Sequence, residues 1–197
     1  MRIDRSRHGA KQPKRFDPKR AGLLGERSRF EYLQPGTLLA LLDLLPAATL
    51  LDFGAGTGLY AIELASARLD VRVLALDEQP EMLALLRGNV AAAGRTNLEV
   101  LEPAQLEGLG AGVDRVLALN VLHELGDTAL AEVRRLLAPA GKALFVDWNA
   151  EAQRPVGPPR EHVYSPSEAE RRLEASGFAV TERSVLRYHY AFVTTLR

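Results

Sequence analysis

The 197 residues include no cysteine. That excludes disulfides, thiolate metal sites and cysteine nucleophiles together, and it suits a reducing compartment. An excess of charge of either sign is also missing. Lysine plus arginine and aspartate plus glutamate balance at 25 each, so overall charge signals no polyanionic partner. Long apolar runs are absent as well: none approaches the roughly 18 residues of a membrane span. The N-terminus, MRIDRSRHGAKQPKRFDPKR, lacks the apolar core of a signal peptide. There is no internal repeat and no second core. What remains is a composition 47% hydrophobic and 25% charged, ordinary for a globular chain, at a length that suits one domain. A soluble, cytoplasmic protein with no membrane partner is the expectation.

Charge is unevenly placed even though it balances. Arg2, Arg5, Arg7, Lys11, Lys14, Arg15, Lys19 and Arg20 crowd residues 1–20, where Asp4 and Asp17 oppose them. Such a segment buries too little apolar surface to fold alone and reads as a flexible basic arm, ordered at most from Phe16 onward by docking. A solvated tail and a nucleic-acid contact are both open readings of it. Residues 21–197 read as the single folded domain.

Within that domain the pattern becomes regular from Gly36. Helices are expected at Thr37–Leu45, Leu59–Ala67, Pro80–Ala93, Thr128–Leu137 and Ser165–Ser176, the last capped by Ser165 with Glu168 as reciprocal partner. Strands are expected at Thr49–Phe53, Val71–Leu76, Leu98–Leu101, Val113–Leu119 and Lys142–Val146, the last after an Ala140-Gly141 turn. Two more, Phe178–Leu186 and Tyr188–Leu196, read as an antiparallel pair at the sheet edge. Strands alternating with helices at this spacing imply an α/β fold with a doubly wound, mostly parallel sheet.

The stretch DFGAGTGLY, Asp52 to Tyr60, carries the functional signal. A strand, then glycines, then a helix places backbone N–H groups at a helix N-terminus beneath the switch point of the sheet, where a nucleotide-like ligand binds. The dinucleotide fingerprint wants glycines at positions one, three and six. Counting from Gly54, position six is Leu59, and the third glycine arrives early at Gly58. Asp52 would also oppose a pyrophosphate. A ligand with an amino group suits that carboxylate better, and Asp77, at the end of the second strand, can accept from ribose hydroxyls. A ribose together with a cationic group describes S-adenosylmethionine.

The sequence resembles the class I S-adenosylmethionine-dependent methyltransferases. LLDFGAGTGLY is similar to their first motif and LALDEQPEML to the second; VDRVLALNVLHEL and LLAPAGKALFVDW are similar to later ones. The likeness covers about Leu50 to Phe178. RFDPKR, VLHEL, FVDW and GPPREHVYS together look like a small bacterial and archaeal subgroup. The resemblance implies the class I fold, with a seventh, antiparallel strand inserted beside the sixth and an N-terminal arm and helix. It implies S-adenosylmethionine as methyl donor and S-adenosylhomocysteine as product. It also implies roles: Gly54, Ala55, Gly56 and Gly58 for close backbone approach, Asp52 near the methionine amino group, Asp77 at the ribose, Met82 near the adenine, and Asn120 along the methionine portion, facing the acceptor. The family often has an acid followed by alanine after the third strand, at the adenine amine. Here the run is Glu102-Pro103-Ala104-Gln105, so Glu102 or Gln105 substitutes, or the contact is made by backbone.

Methyl transfer needs nucleophile and methyl group held aligned in a dry pocket, and a base only if the acceptor arrives protonated. His123 and Glu124, after the fourth strand, are placed to orient an acceptor, with His123 able to take a proton; the alternative is that His123 only bonds a loop backbone. Asp147 is a second catalytic candidate, and Asp147 with Trp148 offers a grip on a cationic or aromatic acceptor, or Trp148 is simply pocket wall. Arg160, His162 and Tyr164, in GPPREHVYS, are candidate substrate contacts, with solvated surface as the alternative for Arg160. A metal shared by His123, Glu124, Asp147 and His162 finds no support in the spacing, so no metal is expected. Tyr188, His189 and Tyr190 are better explained by packing.

A small molecule leads as acceptor. Without cysteine, the thiol chemistry of arsenic or pyrimidine C5 methylation is excluded. Three alternatives stand beside it: an RNA or protein methyltransferase using the basic arm, a catalytically silent cofactor-binding module, and a nicotinamide-dependent oxidoreductase. The glycine spacing disfavours the last.

Overall fold

The computed structural model describes Asp17 and residues 22–197. The basic arm, Asp17 apart, lies outside the described residues.

Seven strands form one sheet in the order β3-β2-β1-β4-β5-β7-β6. β1 (Thr49–Phe53), β2 (Arg72–Leu76), β3 (Leu98–Leu101), β4 (Val113–Leu119) and β5 (Leu137–Trp148) are parallel. β7 (His189–Leu196) runs antiparallel between β5 and β6 (Phe178–Val185), so β6 alone forms that edge. Period-two alternation divides the buried side chains between two faces. Leu50, Leu117, Leu119, Leu144 and Val146 pack on one face beneath α1 (Pro35–Leu42), α2 (Leu59–Ala67) and α3 (Pro80–Ala93). Leu51, Val116, Ala118 and Phe145 pack on the other, beneath α4 (Asp127–Leu136) and α5 (Pro166–Ala175). Each fully buried leucine contributes roughly 1.5–3 kcal/mol, so these two layers hold the sheet's ends in place. Among the described residues, no helix is long and apolar enough to cross a membrane.

Several boundaries differ from the sequence expectation by a residue or more, and two of the larger differences have identifiable physical reasons. The first helix stops at Leu42, not Leu45, because Asp43 turns left-handed at φ 46°. There the buried Arg115 of β4 donates through Nε to Leu42 O at 2.7 Å and through Nη2 to Asp43 O at 2.9 Å, satisfying carbonyls the helix leaves open. The expected Ala140-Gly141 turn is instead an irregularity inside β5, which begins directly after α4. A Cβ on Gly141 would lie 2.9 Å from the carbonyl oxygens of Ala138 and Val113, so the backbone closes only around glycine. The Ser165 cap of α5 and its partner Glu168 are in place.

Candidate active site at the carboxyl ends of the strands

The glycine turn leaves β1 with Gly54, Gly56 and Gly58 all at positive φ, which side chains resist. Space forbids them too: a Cβ on Gly54 would meet Val121 at 2.8 Å, and one on Gly58 would meet Leu86 at 2.5 Å. Asp77, at the end of β2, ties the turn to its neighbour. Its carboxylate accepts from Gly56 N at 2.9 Å and from Gln79 N at 3.0 Å. The result is a cavity of about 80 Å³ whose walls include Asp52, Gly54, Ala55, Gly56, Asp77, Met82 and Asn120. Burial, and then the Asp77 charge, push the Asp52 carboxyl up to about 7, against the pull of Arg29. Burial also raises Asp77, against the two backbone N–H bonds that it accepts. Two buried acids with one nearby guanidinium make a cavity that favours a cationic guest.

A second cavity, about 490 Å³, adjoins the first; Leu24, Arg29, Tyr60, Asn120 and Glu124 line both. Its roof is the segment 22–33, a string of short 3₁₀ turns, held down where Tyr60 of α2 donates its hydroxyl to Leu33 O at 2.9 Å. Arg29 lies over the Tyr60 ring, 5.4 Å from its centroid, and donates to Leu24 O at 3.0 Å. Its pKa is lowered by burial, while Tyr60 and Asp52 oppose the shift. Pro155 to Pro158 close another side. Trp148 and His189, paired across β5 and β7, stack at 4.2 Å between ring centroids and form the inner wall. Burial pushes His189 down to about 4, so it is neutral, and neither of its ring nitrogens has a protein partner.

Beside the larger cavity runs a chain of three ionisable groups, of which Glu124 lines both cavities. Asp147, fully buried, accepts from His123 N at 2.9 Å and Trp148 N at 2.7 Å, and is hydrogen-bonded to His123 Nδ1 at 2.8 Å. His123 Nε2 lies 3.5 Å from Glu124 Oε1. Burial opposes a charge on His123, but Asp147 and Glu124 together outweigh it and carry the imidazole up to about 10.

Known proteins share the fold and much of the sequence that carry this site. The methyltransferase-domain family matches residues 50–141. A crystal structure of an S-adenosylmethionine-dependent methyltransferase from Aquifex aeolicus superposes with a TM-score of 0.85 at 30% identity, over 93% of this chain and all of that one. The chain belongs to the S-adenosylmethionine-dependent methyltransferases. An uncharacterized methyltransferase of Mycobacterium tuberculosis is 38% identical over 114 residues, 56% of this chain and 44% of that protein. A ubiquinone biosynthesis O-methyltransferase of Sinorhizobium fredii is 28% identical over 159 residues, 71% of this chain and 63% of that one. The chain thus spans less than half the length of the Mycobacterium relative.

The residues present fit the family's cofactor. Asn120, held left-handed at φ 57°, keeps a buried Oδ1 with no protein partner at the shared wall, and Gly54 and Gly56 leave the turn's backbone bare. Asp52, Gly54, Ala55, Gly56, Asp77, Met82 and Asn120 come together around the methyltransferase's small cavity. Gly58 does not line it; the residue instead lets α2 pack on Leu86 and Val90 of α3. Glu102 is absent from its walls as well, being half-exposed and paired with Arg87. Around the larger cavity stand His123, Glu124 and Trp148. Asp147 reaches it only through His123, and the Trp148 ring is covered by His189 and approached closely by Gly157. Arg160 and His162 are exposed and Tyr164 is part-buried, all three outside both cavities. Among the described residues, no group of three or more histidine and acidic side chains is gathered for a metal ion. Arg29, Leu24, Tyr60 and His189 escaped sequence reasoning. The legible trace of the first two was a polar-apolar segment just after the basic arm.

Proposed function

We propose that this methyltransferase moves the methyl group of S-adenosylmethionine to a small organic molecule bound in the 490 Å³ cavity. One observation carries the reading: the two cavities share the wall made by Asn120, Glu124, Tyr60 and Arg29, so guests in each meet there. When bound, S-adenosylmethionine supplies an electrophilic methyl on a sulfonium. Asp52 and the Asn120 carbonyl would hold its amino group, Asp77 its ribose and Met82 its adenine, while Arg29 is the cation available to its carboxylate. The roof over residues 22–33 and the Pro155–Pro158 wall exclude water, which strengthens every charge inside. A roofed cavity of this size suits a molecule of drug-like dimensions. The Sinorhizobium relative is named as an O-methyltransferase, which agrees with such an acceptor.

Calorimetric titration with S-adenosylmethionine, S-adenosylhomocysteine and NAD tests the cofactor. Binding of the two sulfur compounds without NAD is expected; binding of NAD alone would overturn the reading. Methyl transfer from labelled S-adenosylmethionine into a pool of small molecules then separates an enzyme from a silent binding module.

A further inference from the structure

We infer that Glu124, rather than His123, accepts the proton of a hydroxyl-bearing acceptor, and that His123 is a charged positioning residue locked between two carboxylates. This rests on the functional reading above. Asp147 receives the backbone N–H of His123, the backbone N–H of Trp148 and the imidazole Nδ1. Each Asp147 oxygen already accepts a backbone N–H, and imidazole is the stronger base of the pair, so the hydrogen between them sits on Nδ1. Nε2 then faces Glu124 Oε1 at 3.5 Å. A bare nitrogen lone pair there would repel the carboxylate, whereas N–H attracts it, and the imidazole is pushed up to about 10 despite its burial. At neutral pH His123 therefore has no lone pair to offer.

Glu124 has the position that His123 lacks, because it lines both cavities. Asp52 and Asp77 line the adjoining cavity, and Arg29 lines both; His189 beside them is neutral. So acidic a junction repels a carboxylate acceptor; a neutral alcohol or phenol, the acceptor inferred here, must lose a proton. In the step, the acceptor oxygen bonds the methyl carbon as the carbon–sulfur bond breaks, and that electron pair remains on sulfur. The hydroxyl proton passes to Glu124 and later to water.

Nitrogen-15 NMR of histidine-labelled full-length protein saturated with S-adenosylhomocysteine provides the test, with His123→Gln supplying the assignment. Both His123 nitrogens are expected to be protonated at pH 7.5. Glu124→Gln is expected to lower the imidazole titration by at least about one pH unit, and Glu124→Asp to restore part of it. A bare Nε2 at pH 7.5, or a titration unchanged in Glu124→Gln, would overturn the inference. Phenols, alcohols and carboxylic acids are then offered with labelled S-adenosylmethionine. Turnover of a phenol or alcohol that falls about 10²–10⁴-fold in Glu124→Gln, more than cofactor affinity falls, and recovers partly in Glu124→Asp supports it. Turnover surviving Glu124→Gln, confined to carboxylic acids, or seen with none of these acceptors overturns it. Failure of the wild-type protein to bind S-adenosylhomocysteine would instead sink the functional reading, while the charge state of His123 remains measurable.

Discussion

The two cavities meet at Asn120 and Glu124, yet they are assembled differently. Most of the small one comes from residues 52–56, 77–82 and 119–121, each a turn at the end of a central strand. The large one gathers stretches far apart in the chain: 23–33, Tyr60, 120–124, Trp148, 155–158 and His189. The first is a local solution to backbone geometry, in which positive φ and lack of space both demand glycine. The second exists only once the roof, the sheet and the last strand have come together. A fold can therefore keep its cofactor turn while the other cavity changes with its loops.

The largest effect tests whether the cavities depend on one anchor. Asp147→Ala strips three nitrogen donors of their acceptor and leaves the His123 charge half-compensated. A loss of about 3–5 kcal/mol is expected in denaturant unfolding. If that variant is as stable as the wild type, the dyad does not hold the β4 and β5 ends together.

Next comes pH. Asp52 is raised to about 7 from an ordinary 3.8, so between those values the folded state holds a proton that the unfolded chain has released. The Asp52 contribution to the stability of the free protein should fall as pH rises through that window, by on the order of 4 kcal/mol, while His189, held down to about 4, offsets part of it below 6.5. Affinity for S-adenosylhomocysteine should rise over the same window, because the amino group prefers the ionised acid. Taken as differences from Asp52→Asn, melting curves and titrations at pH 5, 6.5 and 8 should show opposite slopes; parallel slopes would remove Asp52 from the ligand.

Asp77→Ala acts on the small cavity twice, removing the proposed ribose contact and the acceptor of Gly56 N. S-adenosylhomocysteine affinity should weaken roughly 10- to 100-fold, about 1–3 kcal/mol, by calorimetry. The smallest effect sharpens the contrast. His189→Phe keeps the stack on Trp148 and replaces a neutral imidazole without protein partners. Cofactor affinity should stay within about twofold and stability within about 1 kcal/mol. A larger loss of cofactor affinity would mean the cavities are coupled through β7.

The same contrast explains what could be read in advance. β1, β3 and β4 matched expectation residue for residue, because short apolar runs bounded by glycine, proline or charge leave little choice. The glycine turn, Asp52 and Asp77 were legible for the same local reason. The end of α1 was not, since it depends on Arg115, more than 70 residues away in sequence. His189 was assigned to packing; it does pack, and it also forms cavity wall, a fact set by β7 lying next to β5. Glu102 looked like an adenine contact because it follows β3, but Arg87 of α3 stands within reach and pairs with it.

Leu24 belongs to the roof of the large cavity and also touches the glycine turn, where a Cβ on Gly56 would lie 3.4 Å from its Cδ1. A single flap thus covers both cavities, and guests bound as proposed would not exchange freely while it is seated. On the proposed reading, the turnover clock would be set by how often residues 22–33 lift, and departure of the spent cofactor would be the slow event. Such an enzyme shows a burst of one methyl transferred per molecule, followed by a slower steady rate that rises when Leu24 is trimmed to alanine.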